Sequence, residues 1–397
     1  MWLRVGVALL LVVVAVAVVN YLRPIPSVSA TPLLPASQVI PGTAPTLPWP
    51  SPGTGAVGVS GLGLVASSGN EQAIPAASVA KVMTALVVLE DKPLNKGDAG
   101  PTITLTGTDV QSYESDLADK QSVVQVLAGE QLSELQLLQG MLIPSANNFA
   151  ETLARWDAGS IDAFVAKMNS RSSALHLAHT KFADPSGASS ASASTPSDLT
   201  SLGMVAMQND VFAQIVAMGQ VNLPVAATVY NVNHVLAEDG IIGIKTGSGF
   251  NTGANFLFAA NATVDGHTIV VYGCVMGVPT LDLAFSSAKT LIAAMSSTLH
   301  VRRVITRHQS IATYTTPWGP QTDLISADDV DVAEWPGMVL RQRLDANSIV
   351  VEKPLPSSTV EGHQHLVLGD YVLDVPLVTA DPLYPPGRFW RVTRISF

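Results

Sequence analysis

The chain of 397 residues is 47% hydrophobic and 13% charged, with a net charge of −10. That composition can bury a large core, and the length suits two domains. The acidic balance, with no basic stripe, argues against nucleic acid as a partner, and a single cysteine, Cys274, excludes an intrachain disulfide framework.

At the N-terminus Arg4 precedes an unbroken apolar run from Val5 to Val19, followed by Asn20-Tyr21-Leu22-Arg23. Residues 1–23 therefore read as a membrane anchor or signal segment, with Val28-Ser29-Ala30 offering small residues for cleavage. In either case the remainder is exported to the cell envelope, anchored or secreted, and an uncleaved anchor is the preferred reading. Residues 24–54 form a linker with nine prolines between 24 and 53. That composition predicts an extended, semi-rigid tether that does not pack.

From Gly55 to Ser67 small and apolar residues suggest strands. Helical periodicity follows at Val82 to Leu89, Leu132 to Leu142, Phe149 to Arg155, Phe164 to Ala174 and Asp198 to Met207, with a Ser/Ala/Gly-rich loop at 186–197. Ile241 to Ile244, Asn255 to Ala260 and Thr268 to Met276 read as strands, with turns at Asn251-Thr252-Gly253 and Asp265-Gly266, before a last helix at Leu283 to Met295. Strands at both ends of a helical middle imply an α+β layered domain over 55–298. Cys274 lies in the apolar run Ile269 to Met276, where a buried, inert thiol is expected.

Beyond Val301 short β-rich runs recur at Val304 to Thr315, Met338 to Leu344, Ser348 to Val351, His365 to Val378 and Phe389 to Ile395. They predict a small all-β C-terminal domain over 302–397. His363-Gln364-His365 has no further ligand at supporting spacing, so two solvated histidines are expected and no metal site.

The stretch that carries chemistry is Pro75 to Leu86. Its helix is apolar nearly all round, so it belongs in a core, yet its first turn holds Ser78 and Lys81 three residues apart on one face. A lysine in an apolar setting has a lowered pKa, and its neutral amine can take a proton from serine. First-turn N–H groups can face a developing oxyanion. Downstream, Ser145-Ala146-Asn147 follows the helix ending at Leu142 and is expected in a tight interhelical loop, and Lys245-Thr246-Gly247 lies on a strand whose glycine admits a ligand's backbone. Decoys exist: Ser286 to Lys289 repeats the first spacing and Ser68-Gly69-Asn70 the second. Only Ser78, Ser145 and Lys245 occur in an order that makes a set.

That set, SxxK then SxN then KTG, resembles the active site of penicillin-recognising serine enzymes. With Gly129-Glu130, Phe182-Ala183-Asp184-Pro185-Ser186-Gly187, Asn231-Val232-Asn233-His234 and Val275-Met276-Gly277, residues 55–298 are similar to the low-molecular-weight D-alanyl-D-alanine carboxypeptidases. The resemblance implies a β-lactamase/transpeptidase-like fold and acyl transfer on peptidoglycan stem peptides, with no metal or organic cofactor. Ser78 would be the nucleophile, Lys81 the base and Ser145 the proton relay. Asn147 would hold Lys81 and the substrate amide, Lys245 would orient Ser145, and Thr246 would bind the terminal carboxylate. Gly247 belongs to the same binding strand, and the N–H groups of Ser78 and Ser248 would form the oxyanion hole. β-Lactams are implied as inhibitors.

Two departures stand out. Gly249 replaces a threonine common in that family, and Val278 to Phe285 lacks the arginine that often follows Met-Gly there. A class A β-lactamase would need a deacylating glutamate, for which 150–197 offers only Glu151. A D,D-endopeptidase of cross-links, or a wall-binding module without turnover, remain the alternatives.

Overall fold

The computed structural model describes residues 2–69, 71–249 and 252–394. Asn251 of the expected turn, Phe250 and Ile395 lie outside these. The chain divides into two units: Ala44–His300, and Val301–Phe397 together with Met1–Thr43.

Its first element is the helix α1, Trp2–Leu22, which buries none of its residues. The unit 44–300 is built on a five-stranded antiparallel sheet. We number its strands β1 (Thr54–Val59), β2 (Gly63–Ser67), β3 (Ile241–Gly249), β4 (Gly253–Val264) and β5 (His267–Val278). They run in the spatial order β3-β4-β5-β1-β2. Both faces are covered, which is why β4 and β5 read as continuous apolar runs. Alternate residues sort the two sides. Leu257, Ala259, Cys274 and Met276 join a core shared with Leu199 and Leu202, whereas Phe256 meets Phe285 edge-on at 4.9 Å.

Between β2 and β3 lies a helical subdomain: α2 (Lys81–Asp91), α3 (Gly107–Ala118), α4 (Glu134–Leu142), α5 (Asn147–Ala158), α6 (Ile161–Ala174), α7 (Pro196–Ala206) and α8 (Asp210–Val216). α9 (Leu281–Thr298) follows β5. The expected α+β layering is present. α3 and α8 were not anticipated, because α3 is a polar helix whose start is set by a capping box between Thr106 and Asp109 and not by an apolar stripe.

α2 lies in the middle. Nine of its residues, from Lys81 to Leu89, are buried. Each of its large aliphatic side chains contributes roughly 1.5–3 kcal/mol by leaving water. A helix so enclosed gives its first turn a fixed position.

In the other unit seven antiparallel strands run in the order Ala30–Pro32, Ser310–Thr315, Gln321–Ser326, Tyr371–Thr379, Val360–Leu368, Val339–Ala346, Ser37–Val39. Four expectations are corrected here. The proline-rich segment is not a free tether throughout, since Ala30–Pro32 pairs with Ala312 to Tyr314 and Ser37–Val39 with Val339 to Arg341. It supplies both sheet edges, and Pro32 is tolerated at one of them because an edge strand pairs on one side only. Ser348 to Val351 forms only a bridge, between Ile349 and Val28. The expected strand from Phe389 is not found among the described residues: Arg388–Thr393 is a helix, α10. Its β-branched and aromatic residues suggested strand, but Pro385-Pro386-Gly387 ends the extended chain and the next turn closes helically. His365 sits between Asp345 and Asp374 on the neighbouring strands, not in open solvent.

Candidate active site

Ser78 lies in a short 3-10 turn, Ala77–Ala80, that leads directly into α2. Ala77 holds a left-handed φ of 49°, which bends the chain into the helix. The three-residue spacing brings the two side chains together, and Lys81 Nζ reaches Ser78 Oγ at 2.9 Å.

The same amine touches two further oxygens, Asn147 Oδ1 at 2.6 Å and the Ser186 carbonyl at 2.8 Å. Asn147 opens α5, with its backbone N–H on the Ser122 carbonyl at 2.8 Å. Its Nδ2 donates to Gln121 Oε1 at 3.3 Å, so its oxygen faces the lysine. Lys81 is fully buried. Burial first, and then the charge of Lys245, hold its amine well below the usual lysine range, while Asp184 and Asp116 pull the other way.

This geometry limits which contact the lone pair of a neutral Lys81 can serve. As an ammonium, Lys81 donates to all three oxygens. As a neutral amine it has two N–H donors and one lone pair. Asn147 Oδ1 and the Ser186 carbonyl can only accept, so the lone pair falls to the hydroxyl of Ser78. Every contact stays satisfied in both protonation states, and the basic lone pair is aimed at the Ser78 proton.

Asp184 fixes the third oxygen. Its Oδ1 accepts from the N–H groups of Ser186, Gly187 and Ala188 and from Ser186 Oγ. Its Oδ2 accepts from Ser189 N and Ser192 Oγ. Burial pushes this carboxyl up, yet the hydrogen bonds from Ser186, Ser192 and Ser189 outweigh it and hold the group below the ordinary range. Gly187 makes the approach possible: at φ 78° it lies against the turn before Ser78, and a Cβ there would fall 1.8 Å from the Ala77 carbonyl oxygen.

Across the cleft, β3 carries Lys245, Thr246, Gly247 and Ser248 opposite Leu257, Phe256, Asn255 and Ala254 of β4. Gly247 is bare for a physical reason, since a Cβ would stand 3.0 Å from the Ala76 oxygen and 3.1 Å from the Ser78 nitrogen. Its partner Asn255 ties the strand to the chain leading into Ser78, donating from Nδ2 to the Pro75 and Ala76 carbonyls at 3.0 Å and accepting from Gly277 N. Lys245 is buried, which lowers its pKa to about 7, and it donates to the Thr246 carbonyl at 3.1 Å.

Ser145 sits in the α4–α5 loop, as expected, at a left-handed φ of 70°. Its buried Oγ has no hydrogen-bond partner among the described residues. The structure thus joins Ser78, Lys81 and Asn147 in one hydrogen-bonded set and leaves Ser145 and Lys245 outside it. Asp184 and Asn255 were missed as site residues. Asp184 was signalled by its DPSG turn; Asn255 had no local signal. On α3, Asp116 is raised to about 6 by burial and then by Glu151. The two rival motifs behave differently. Lys289 pairs with Glu238 on the surface and Ser286 bonds its own helix, while Asn70 of the Ser68 motif lies outside the described residues. Glu151 is held by Ser112 and Arg155, with no bond to the Ser78 turn among the described residues.

Comparison with known proteins now decides the family. The family described as D-alanyl-D-alanine carboxypeptidase matches residues 61–280. The chain belongs to that family. The carboxypeptidase of Streptomyces sp. strain K15 is 32% identical over 210 residues, 49% of this chain and 69% of the relative. The carboxypeptidase DacB2 of Mycobacterium tuberculosis is 34% identical over 214 residues, 51% and 67% of the two chains. Endopeptidases occur among the other relatives of this carboxypeptidase-family chain. In structure it is similar to the Streptomyces K15 DD-transpeptidase, with TM-score 0.56 and 27% identity over 64% of this chain and 98% of that one. Penicillin binding protein 5 from Haemophilus influenzae shares the fold at TM-score 0.63 and 19% identity, over 86% of this chain and 99% of that one.

Proposed function

We propose that this family member is a serine-type D,D-carboxypeptidase that removes the terminal D-alanine of peptidoglycan stem peptides. The observation that carries this is the amine of Lys81, whose two acceptor-only contacts leave its lone pair to Ser78.

In the proposed acylation, Ser78 Oγ attacks the carbonyl carbon between the two D-alanines while Lys81 takes its proton. The N–H groups of Ser78 and Ser248 receive the oxyanion, where each donor is worth about 3 kcal/mol. The C–N bond breaks as Ser145 delivers a proton to the departing amine and is reprotonated by the Lys81 ammonium, which leaves Lys81 neutral for the next step. Its buried, unengaged hydroxyl suits that relay. Thr246 binds the terminal carboxylate, and Lys245 supplies positive charge to the same wall. Lys81 then draws a proton from water as the water oxygen attacks the ester carbonyl, and passes that proton to Ser78 Oγ as the C–O bond breaks. A β-lactam presents a similar carbonyl and carboxylate, and would acylate Ser78 likewise.

The substrate lies outside the cytoplasmic membrane, and we place the protein there, held by α1. Its 21 residues, all unburied, span about 31 Å, close to a bilayer's hydrocarbon thickness. The candidate cleavage residues are folded: Val28 bridges Ile349, and Ala30 pairs with Tyr314. We read α1 as a retained anchor.

The test is release of free D-alanine from a pentapeptide ending in D-alanyl-D-alanine, using the full chain in detergent. Ser78→Ala is expected to abolish both release and labelling by a fluorescent penicillin; release that survives overturns the mechanism. Faster cleavage of a cross-linked dimer than of pentapeptide favours the endopeptidase reading, which the names of several relatives keep open. Labelling without release of any product favours a binding module.

A further inference from the structure

α10 and the last turn of α1 are built into each other. Asn20 Nδ2 donates to the Val392 carbonyl at 3.1 Å. Arg391 donates to the Tyr21 carbonyl at 3.0 Å and lays its guanidinium over the Tyr21 ring, 4.6 Å from the centroid. Arg394, only 8% exposed, donates to the carbonyls of Asn20 at 2.7 Å, Arg23 at 2.6 Å and Pro24 at 3.0 Å. A helix leaves its last carbonyls unpaired. Arg394 satisfies carbonyls at the C-terminal end of α1 and just beyond it, from the opposite end of the sequence.

Around this junction the surface has the makeup of a membrane boundary. Trp390 meets Trp318 edge-on at 5.4 Å, and Trp318 Nε1 donates to the Tyr384 carbonyl at 2.9 Å. Phe389 is 83% exposed and Tyr384 57%. From 380 to 394 three arginines face a single acid, Asp381. Tyrosine and tryptophan concentrate where a spanning helix leaves the hydrocarbon, and arginine near that level is attracted to anionic lipid. An exposed phenylalanine beside an exposed arginine, placed at the exit of an apolar helix, is matched by acyl chain below and phosphate above.

We propose that α10 is a membrane-surface collar: it clamps the exit of α1 and seats this unit on the outer face of the bilayer. Phe389 enters the interfacial layer, and Arg388 and Arg391 take the headgroups of anionic phospholipid. The proposal rests on α1 being retained as an anchor. It gives the arginine and aromatic residues of 384–394 a role that the sheet beside them does not need.

The experiment labels Phe389→Cys in the full chain with an environment-sensitive NBD fluorophore. Cys274 is buried and leaves residue 389 the accessible thiol. The labelled protein is reconstituted in phosphatidylcholine vesicles with and without an equimolar share of phosphatidylglycerol. The expected result is a blue-shifted emission and severalfold weaker quenching by iodide, both stronger with phosphatidylglycerol. Arg394→Ala, which unties α10 from α1, is expected to return the probe to water-like emission, and Arg394→Lys to recover part of the shift. Water-like emission in vesicles from which alkaline carbonate does not extract the chain overturns the collar while leaving the anchor standing. Extraction by carbonate overturns the anchor and the collar with it. An equal shift in both lipids overturns the role given to anionic headgroups.

Discussion

Asp184→Asn tests whether the Ser186 carbonyl is positioned or merely nearby. The substitution keeps the shape of the side chain and removes its charge. In the same pose the amide oxygen keeps the donors now on Oδ1, while its NH2 replaces Oδ2 and faces Ser189 N, 3.0 Å away. One backbone donor loses its acceptor. Ser192 can turn its hydroxyl to accept, since it already accepts from Ala183 N. A bond to a charged acceptor contributes roughly 1.5–3 kcal/mol, and the remaining bonds weaken towards neutral strength, so the expected destabilisation is about 2–4 kcal/mol near pH 7. The sign with pH follows from Asp184's lowered pKa. Its stabilisation is complete above the unfolded value of about 4 and is lost as pH falls through the folded value, so the gap between wild type and variant narrows in acid.

The catalytic signature is separate from stability. Asp184 raises the pKa of Lys81 through its charge. Removing that charge lowers the amine's pKa further, so the alkaline-going limb of the acylation profile shifts to lower pH. Meanwhile the loosened carbonyl lets Lys81 wander, and the plateau rate drops, by about tenfold. Urea denaturation and penicillin acylation against pH measure both. An unchanged urea midpoint at pH 7, or a limb that moves to higher pH, refutes the reasoning.

Two further substitutions probe the same turn. Asn147→Asp puts a carboxylate at the 2.6 Å contact to Lys81; it is expected to raise the amine's pKa by roughly 1–3 pH units and move the acylation limb to higher pH, opposite to Asp184→Asn, and an unmoved limb counts against Lys81 as base. Gly187→Ala forces a Cβ to 1.8 Å from the Ala77 oxygen, whereas Gly159→Ala, at φ 80° after α5, meets nothing within 4 Å. Backbone strain alone predicts about 1–2 kcal/mol for the second, and the first is expected to lose clearly more and to slow acylation as well; equal urea midpoints defeat the close-approach account.

What the sequence reveals about this site depends on how each residue is held. Ser78 and Lys81 are legible because one helical turn places them together, and apolar periodicity declares that the turn is buried. Asn147 is legible because helix ends are. Asp184 is different: its six donors come from a loop whose conformation no periodicity reports, so the DPSG turn shows that a bend exists and not what it binds. Asn255 is harder again, since its partners lie 179 and 180 positions away, fixed by strand register that only the assembled sheet defines. The DPSG carboxylate and the strand asparagine thus fix the nucleophile's turn from two sides that local pattern does not connect.

The proline-rich segment shows the complementary failure. Proline lacks a donor, and that forbids a place in a sheet's interior, where each strand pairs on both sides. An edge strand pairs on one side only. Ala30–Pro32 and Ser37–Val39 are three residues each and lie at the two ends of the sheet order, so Pro32 takes a place that its missing donor allows, while Ser37–Val39 is a proline-free stretch of the same segment. The segment follows α1 and runs into the unit that carries Ser78. A single passing segment therefore covers part of two longer strands, Ser310–Thr315 and Val339–Ala346, and leaves edges only three residues long, which offer little to another chain. A rule against proline in sheets is a rule about sheet interiors, and Pro32 at an edge is its exception.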